Sequence, residues 1–565
     1  MSLSFESASQ FEWVVRKIAV IGPGIVGMPM AAMLANARIC EGTDQPAEVV
    51  VVQRASQTSG WKVEAINRGQ SVIGGIEPDL DEIVAGAYAN RLLSATHDYQ
   101  DIADADLILV SVQTDRDGFG PDYGPLMQSL DALCLALVKR PAGNIPLVVF
   151  ESTLAPSSMD TVVREKFAAH GLIEGRDVLL GNSPNRVMPG RLVERVAQSD
   201  KLIAGLHPLT PVLIERVYRR IVTKANLFKT NSMTAEFVKT LENAYRDVRI
   251  AFSAELVRSC DSQDVDFYAL REQVNRALSQ SDNASGCATA VPSGAILIPG
   301  IGVGGHCLPK DGVLLWWRKH QSGADTSHSE ILNARHINDA SPAASIAHAQ
   351  QRFGALFGRR VALLGTAYRF DSEDTRNSPT LSLARQLITL GAEVTLHDPY
   401  VKPDDQNLKK TQLSDCFTNS LKQAVENADV VFYCVGHAVY LSGLDEMLAM
   451  ANHLEAIYDG ANLFQSAHFD GMSIDYAGIG RGTLAPPEQL VQETVGRFRQ
   501  MEQKVSRELV DLIRFLNDHY AGDEFNQVSF ETVRHLAGSC VTGCAIAPVL
   551  PGDSQQAHKM TPQPA

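Results

Sequence analysis

Short apolar runs alternate with longer amphipathic stretches along most of this chain. Lys17–Ile21 (KIAVI) reads as a strand, Met28–Ala37 as a helix and Glu48–Val52 (EVVVV) as a second strand. Further strand-type runs follow at Leu107–Val112, Pro146–Phe150, Val178–Leu180 and Lys201–Gly205. Apolar strands separated by helical segments bury both faces of a parallel sheet, so this part predicts a doubly wound α/β domain. From Thr234 to Ala277 no Gly or Pro interrupts a helical pattern, which predicts one continuous spine. The α/β pattern then resumes with RVALLGTAY from Arg360, a helix over Thr380–Leu390, and strands at Glu393–Leu396 and Val430–Val435. The expected fold class is therefore α/β, with two Rossmann-like doubly wound parallel-sheet domains joined by a long central helix. Gln280–Ser293 reads as a small-residue polar loop, Pro487–Tyr520 as a helix and the Pro/Gln/Ser-rich end, Pro551–Ala565, as disordered.

At 565 residues the chain exceeds what one core organises. Its 45% hydrophobic and 20% charged residues are ordinary for a globular enzyme, and a net charge of −15 argues against a nucleic-acid partner. No uncharged apolar stretch reaches the roughly eighteen residues a bilayer needs, so no membrane association is expected. The first residues, MSLSFESASQFEW, lack the layout of a signal peptide. Nine cysteines lie scattered singly, which is neither a disulfide framework nor a zinc pattern. That usage suits a reducing cytoplasm and predicts no metal; the Cys540–Cys544 spacing reads as incidental.

Two motifs carry chemistry. After the first strand comes Gly22-Pro23-Gly24-Ile25-Val26-Gly27, a G-x-G-x-x-G in its strand–loop–helix setting. Gly22 makes the turn, Gly24 admits a pyrophosphate, Gly27 lets helix pack on strand, and the helix N-terminus faces the phosphates. NAD is the expected cofactor. Where an acidic residue usually ends the second strand, this chain has Gln53-Arg54, and an arginine there accommodates a 2′-phosphate, which leaves NADP open. The second motif, Pro299–Asp311 (PGIGVGGHCLPKD), sets Cys307 behind four glycines and before Lys310 and Asp311. Such a turn brings backbone close to a ligand, and His306 and Lys310 are cations placed to favour a thiolate nucleophile. The plain alternative is a glycine-rich surface loop with a buried cysteine.

Over roughly residues 16–485 the chain resembles the UDP-glucose/GDP-mannose dehydrogenase family, on the two Rossmann halves, the central helix and the cysteine turn. The resemblance implies oxidation of a sugar C6 alcohol to the carboxylate with two NAD+, Cys307 capturing the aldehyde as a thiohemiacetal and passing through a thioester. It implies that Lys239 and Asn243, four residues apart on the central helix, stabilise the oxyanion, and that Asp311 orders a water or relays a proton. Thr153 in ESTLAP matches a threonine beside the nicotinamide, and Thr114 in SVQTD one near the cofactor ribose. Arg376 in FDSEDTRNSP matches an arginine that reaches a substrate in a neighbouring subunit, which implies a homodimer; Arg369 replaces a lysine nearby. Arg186, Val187, Gly302, Gly304 and His306 complete the implied substrate contacts. The UDP moiety is expected on the second half, near this arginine loop and His397-Asp398-Pro399.

Implied boundaries are 1–15 for an N-terminal extension, 16–229 for the NAD-binding domain, 230–345 for the central helical domain, 346–485 for the UDP-binding domain and 486–565 for a helical extension and tail. Asn185 stands where the family's general-base glutamate belongs, and Glu194 and Asp311 are the carboxylates weighed as replacements. Gln113-Thr114-Asp115 replaces flanking prolines. Gly304-Gly305-His306-Cys307 and Asn185–Gly190 side with members acting on UDP-N-acetylhexosamines of the ManNAc or GlcNAc type, whereas Lys310 leans towards the UDP-glucose type. The expected role is supply of acidic sugars for polysaccharide biosynthesis. Alternatives are a UDP-glucose 6-dehydrogenase, a single-step Rossmann dehydrogenase, which needs neither the cysteine nor a second Rossmann half, and a nucleotide-sugar-binding protein without turnover.

Overall fold

The structure, a computed structural model, describes residues 13–537 apart from 41–44, 76, 141–144, 188 and 285–295. Most of the predicted Gln280–Ser293 loop, the Cys540–Cys544 pair and the C-terminal tail lie outside the described residues. The first sheet has eight strands: β1 (Lys17–Ile21), β2 (Glu48–Val52), β3 (Leu93–Thr96), β4 (Leu107–Val110), β5 (Leu147–Phe150), β6 (Leu179–Asn182), β7 (Lys201–Gly205) and β8 (Leu227–Asn231). Their spatial order is β8-β7-β6-β5-β4-β1-β2-β3. β4 and β5 are buried along their whole length, as continuous apolar runs of a sheet covered on both faces must be. The helix α1 (Gly27–Asn36) packs over this sheet.

Neighbouring strands run parallel except β6 and β7, whose pairing is antiparallel. The expected all-parallel sheet is thus corrected at one point. The reversal brings the first residue of β7, Lys201, to the end of the sheet where β5 and β6 finish, and there it meets a buried carboxylate (below).

The predicted central helix is two helices, α2 (Ser232–Ser262) and α3 (Phe267–Ala284). The break falls at Asp264, whose φ of +53° is left-handed. Val265 and Asp266 there pair with Leu484 and Arg481, a long-range contact with no local sequence signal. Asn231 caps α2 by accepting from the N–H of Thr234 at 2.7 Å. Helices α4 (Leu308–Gln321) and α5 (Glu330–Asp339) pack along α2, and α6 (Ser341–Phe353) leads to the second sheet.

That sheet contains β9 (Arg360–Leu364), β10 (Glu393–His397), β11 (Phe417–Thr418), β12 (Val430–Tyr433), β13 (Ala456–Asp459) and β14 (Asp475–Gly478), with α7 (Pro379–Thr389) between β9 and β10. It is parallel throughout, in the order β11-β10-β9-β12-β13-β14. Finally α8 (Glu488–Tyr520) and α9 (Phe530–Ala537) return to the central helices. Val491, Phe498, Val505 and Leu512 recur at every seventh position of α8 and are buried, an apolar seam of helical period. Asn231, at the foot of α2, donates to the carbonyls of Phe525 (2.7 Å) and Gln527 (2.8 Å), which fastens the α8–α9 connection to the first sheet. No helix among the described residues is long and apolar enough to cross a membrane.

Candidate active site

In the first sheet strand order reverses between β1 and β4, and the crevice outside their carboxyl ends is where such folds bind ligands. Gly22, with φ +91°, starts the turn after β1, and a Cβ on Gly27 would lie 2.1 Å from the Gly22 carbonyl oxygen. A Cβ on Gly24 would meet nothing within 4 Å, so the space a pyrophosphate needs is open at that glycine. Ile25 and Val26 lead into α1, whose N-terminal amides face this loop. Beyond β2, Gln53 donates from Nε2 to Ser59 Oγ at 2.9 Å, while Arg54 stays exposed. Thr114 follows β4 and Thr153 follows β5; the Thr114 hydroxyl donates to the Thr153 carbonyl at 2.7 Å. The sequence-predicted cofactor residues thus meet at one sheet edge.

The cysteine turn abuts that edge. Lys310, buried, has its Nζ 3.3 Å from Thr114 Oγ1 and 3.4 Å from Asp311 Oδ1. Asp311, fully buried, accepts from Asn243 Nδ2 at 2.6 Å. Lys239 lies one turn before Asn243 on α2, is 7% exposed, and its charge acts on the Cys307 thiol. Cys307 is the N-cap of α4, and its carbonyl accepts from the amides of Lys310 (3.1 Å) and Asp311 (2.9 Å). Five of the predicted residues therefore converge: Cys307, Lys239, Asn243, Asp311 and, through Lys310, Thr114.

The expected charge state does not hold. Burial, then the cations Lys310 and Arg376, push the His306 imidazole down to about 4, so it is neutral and adds no positive charge near pH 7. The Cys307 side chain is accessible, yet the atoms crowding it strip water from the thiolate, and Asp311 repels it. Together they hold its pKa above the ordinary thiol value, against the pull of Lys239, Lys310 and Arg376. The rate of iodoacetamide alkylation at Cys307, followed by mass spectrometry, should therefore titrate above the ordinary thiol pKa of about 8.5. Asp311→Asn should move the midpoint down and speed labelling at neutral pH. A wild-type midpoint below the ordinary value would contradict this electrostatic picture.

The glycines also pack tightly against the second domain. A Cβ on Gly304 would sit 2.5 Å from the Tyr368 Cβ and 2.8 Å from the Asn377 carbonyl; Gly305 has φ +84° and faces the Tyr368 ring at 2.9 Å. They let the cysteine turn press against the arginine loop of the second sheet, residues 367–377. Gly302 meets Pro379 in the same way. Gly305 N donates to the Arg376 carbonyl (2.8 Å) and Asn377 Nδ2 to the Gly305 carbonyl (2.9 Å). Arg376 itself pairs with Asp374, and its charge reaches Cys307. These hydrogen bonds stitch the loop to the turn and bring Arg376 near the cysteine of its own chain. Arg369 is half-buried over the Phe370 ring.

Other predicted residues lie apart. Arg186 forks onto Glu242 of α2, Nε at 2.9 Å, and Val187 packs into the first domain's core. Glu194 is half-exposed and paired with Arg191. The carboxylate next to Asn185 is one the sequence reading missed, Glu151, the first residue after β5. Glu151 accepts from Asn185 Nδ2, from the Tyr218 hydroxyl and from Lys201 Nζ at 2.8 Å; Lys201 also reaches Asn185 Oδ1 at 2.9 Å. All four are buried. The available signal was an acid directly after the apolar run Leu147–Phe150. His397 and Asp398, expected near the UDP, are buried and bonded internally, His397 to the Tyr440 hydroxyl at 2.8 Å.

Residues 16–222 match the NAD binding domain, 233–340 the central domain and 362–466 the UDP binding domain of one family. The chain belongs to the UDP-glucose/GDP-mannose dehydrogenase family. The UDP-N-acetyl-D-mannosamine dehydrogenase of Pyrococcus horikoshii is 31% identical over 476 residues, 83% of this chain and 100% of that protein. The NDP-N-acetyl-D-galactosaminuronic acid dehydrogenase of Ralstonia solanacearum is 30% identical over 75% of this chain and 91% of its own. The crystal structure of the NDP-N-acetyl-D-galactosaminuronic acid dehydrogenase from Methanosarcina mazei superposes with a TM-score of 0.68 at 30% identity, covering 84% of this chain and 98% of that one. As a member of the UDP-glucose/GDP-mannose dehydrogenase family the protein is an NAD-dependent oxidoreductase, and the open glycine cradle at Gly24 fits that cofactor. The family match ends before α8 and α9 begin.

Proposed function

We propose that this protein is a nucleotide-sugar 6-dehydrogenase that oxidises the C6 alcohol of a UDP-N-acetylhexosamine, of the ManNAc or GlcNAc type, to the uronic acid. The observation that carries the proposal is the continuous polar path from Thr114 through Lys310 and Asp311 to Asn243, with Cys307 at its centre and the cofactor crevice at its end. Bound NAD+ supplies the hydride acceptor for each of the two oxidations. Lys239 and Asn243 present N–H donors to the oxygen on C6, stabilising the charge that develops as its proton leaves. The Cys307 sulfur adds to the aldehyde carbon while its proton passes to the oxygen, giving a thiohemiacetal. Loss of a second hydride and of the hydroxyl proton leaves a thioester, and water attacks its carbonyl, releasing carboxylate and thiol. We assign the ordering of that water to Asp311, which is bonded to Asn243, since Asn185 cannot take a proton, Glu194 is paired with Arg191 and Glu151 with Lys201.

A raised thiol pKa suits this sequence, because the thiol needs to lose its proton only as it meets the aldehyde. The hexosamine assignment is supported by the relatives' activities and by the Gly304–Cys307 and Asn185–Gly190 segments. With excess NAD+ and limiting UDP-N-acetylmannosamine, UDP-N-acetylglucosamine or UDP-glucose, one of the two hexosamines should yield two NADH per sugar. One NADH per enzyme site followed by arrest would show a thioester that cannot be hydrolysed. Turnover of UDP-glucose alone would replace the substrate assignment.

A further inference from the structure

The second sheet reverses strand order between β9 and β12, where a Rossmann-type domain would open a ligand crevice. Here the loop after β9 is closely packed against the neighbouring strand's end. A Cβ on Gly365, which follows β9, would lie 2.5 Å from the Cβ of Val435, which follows β12. The backbone amides that such a loop would offer a phosphate are taken by a carboxylate: Asp398 Oδ2 accepts from Thr366 N at 2.7 Å and Ala367 N at 2.9 Å. Its Oδ1 accepts from Tyr400 N (2.9 Å) and Val401 N (3.2 Å).

The fully buried His437 completes this arrangement and carries it outward. Its Nε2 stands 3.1 Å from Asp398 Oδ2, and its Nδ1 accepts the N–H of Asp371 at 2.8 Å. A backbone N–H only donates, so Nδ1 is bare and Nε2 holds the proton it gives to Asp398. Asp371 sits in the arginine loop with φ +52°, and its side chain accepts from Ala438 N at 3.1 Å. Further along, Tyr368 N donates to the Asp374 carbonyl (2.9 Å), Asp374 grips Arg376 (Nε at 2.9 Å), and the Arg376 carbonyl accepts from Gly305 N. Hydrogen bonds thus fasten the short segment Asp371–Arg376 at both ends, to His437 on one side and to Gly305, two positions before Cys307, on the other.

We propose that His437 is a positioning residue: by latching Asp371 against the sheet, it holds the arginine loop in the register that presents Arg376 to the nucleotide-sugar beside Cys307. The inference rests on the nucleotide-sugar reading above. Two variants separate the two bonds of the imidazole. His437→Asn keeps an acceptor where Nδ1 lies and loses the reach to Asp398; His437→Gln keeps a donor towards Asp398 and loses the acceptor for Asp371.

The measurement is steady-state kinetics of both variants and of Arg376→Ala, with KM for the sugar nucleotide and for NAD+ taken separately and kcat recorded. The expected result is a sugar-nucleotide KM raised about tenfold in Arg376→Ala and in His437→Gln, the scale of one lost buried hydrogen bond, with little change in His437→Asn. KM for NAD+ stays at the wild-type value in all three, which general loosening of the fold would not allow. If Arg376→Ala raises the sugar KM but His437→Gln does not, or if Gln and Asn behave alike, the latch is overturned. If Arg376→Ala itself leaves the sugar KM unchanged, the reading of the arginine loop falls and the latch with it.

Discussion

Cys307→Ala should stop formation of the uronic acid, with acid output lowered by roughly 10⁴-fold or more, the scale of losing a covalent nucleophile. The first oxidation needs no thiol, so slow release of the aldehyde with one NADH per sugar should remain. Product mass and NADH counted on the same sample distinguish the two levels. The prediction follows from position: Cys307 is exposed and feels the charges of Lys239 and Asp311, whereas among the described residues Cys416 is half-buried and Cys134, Cys260 and Cys434 are buried among apolar side chains. Acid formed by the alanine variant at more than about a hundredth of the wild-type rate would remove the thioester from the pathway.

Lys239→Ala should lower kcat by ~10²–10³, the usual loss when one donor to a developing oxyanion is removed. Binding of the sugar nucleotide should change little, because the lysine acts on charge that appears only as the alcohol or the aldehyde reacts. Single-turnover kinetics with saturating substrate isolate that step. A raised KM with kcat intact would make Lys239 a ground-state binding cation. The lysine is well placed for the larger effect, being 7% exposed on a helix whose neighbouring turn is tied to Asp311 through Asn243.

Both Rossmann-like sheets were legible because their strands are short apolar runs ended by glycine or polar turns, as at Ile21-Gly22 and Leu364-Gly365. The cysteine turn was legible from glycine density and the Cys-Lys-Asp order. The break between α2 and α3 was not, since the bridges of Val265 and Asp266 depend on residues more than two hundred positions later. Protonation was misread at His306 and Cys307, where neighbours in sequence suggested activation; the outcome is set by burial at both, with Lys310 and Arg376 adding to it at His306 and Asp311 at Cys307, which only the folded packing determines. The Glu151–Lys201 pair escaped notice because an antiparallel β7 was not foreseen. His437 lies 39 positions from Asp398, and nothing local relates them.

The seam of α8 bears on how the chain is made. The central helices emerge from the ribosome well before Val491, Phe498, Val505 and Leu512, the side chains that cover them. During synthesis the NAD-binding sheet, the cysteine turn and the arginine loop can all assemble while one flank of α3 and α5 stays bare. A nascent chain carrying an exposed apolar flank is prone to self-association or chaperone capture. A stop codon shortly before Glu488 would therefore do most damage through yield in the cell, leaving every side chain of the reaction centre in the polypeptide.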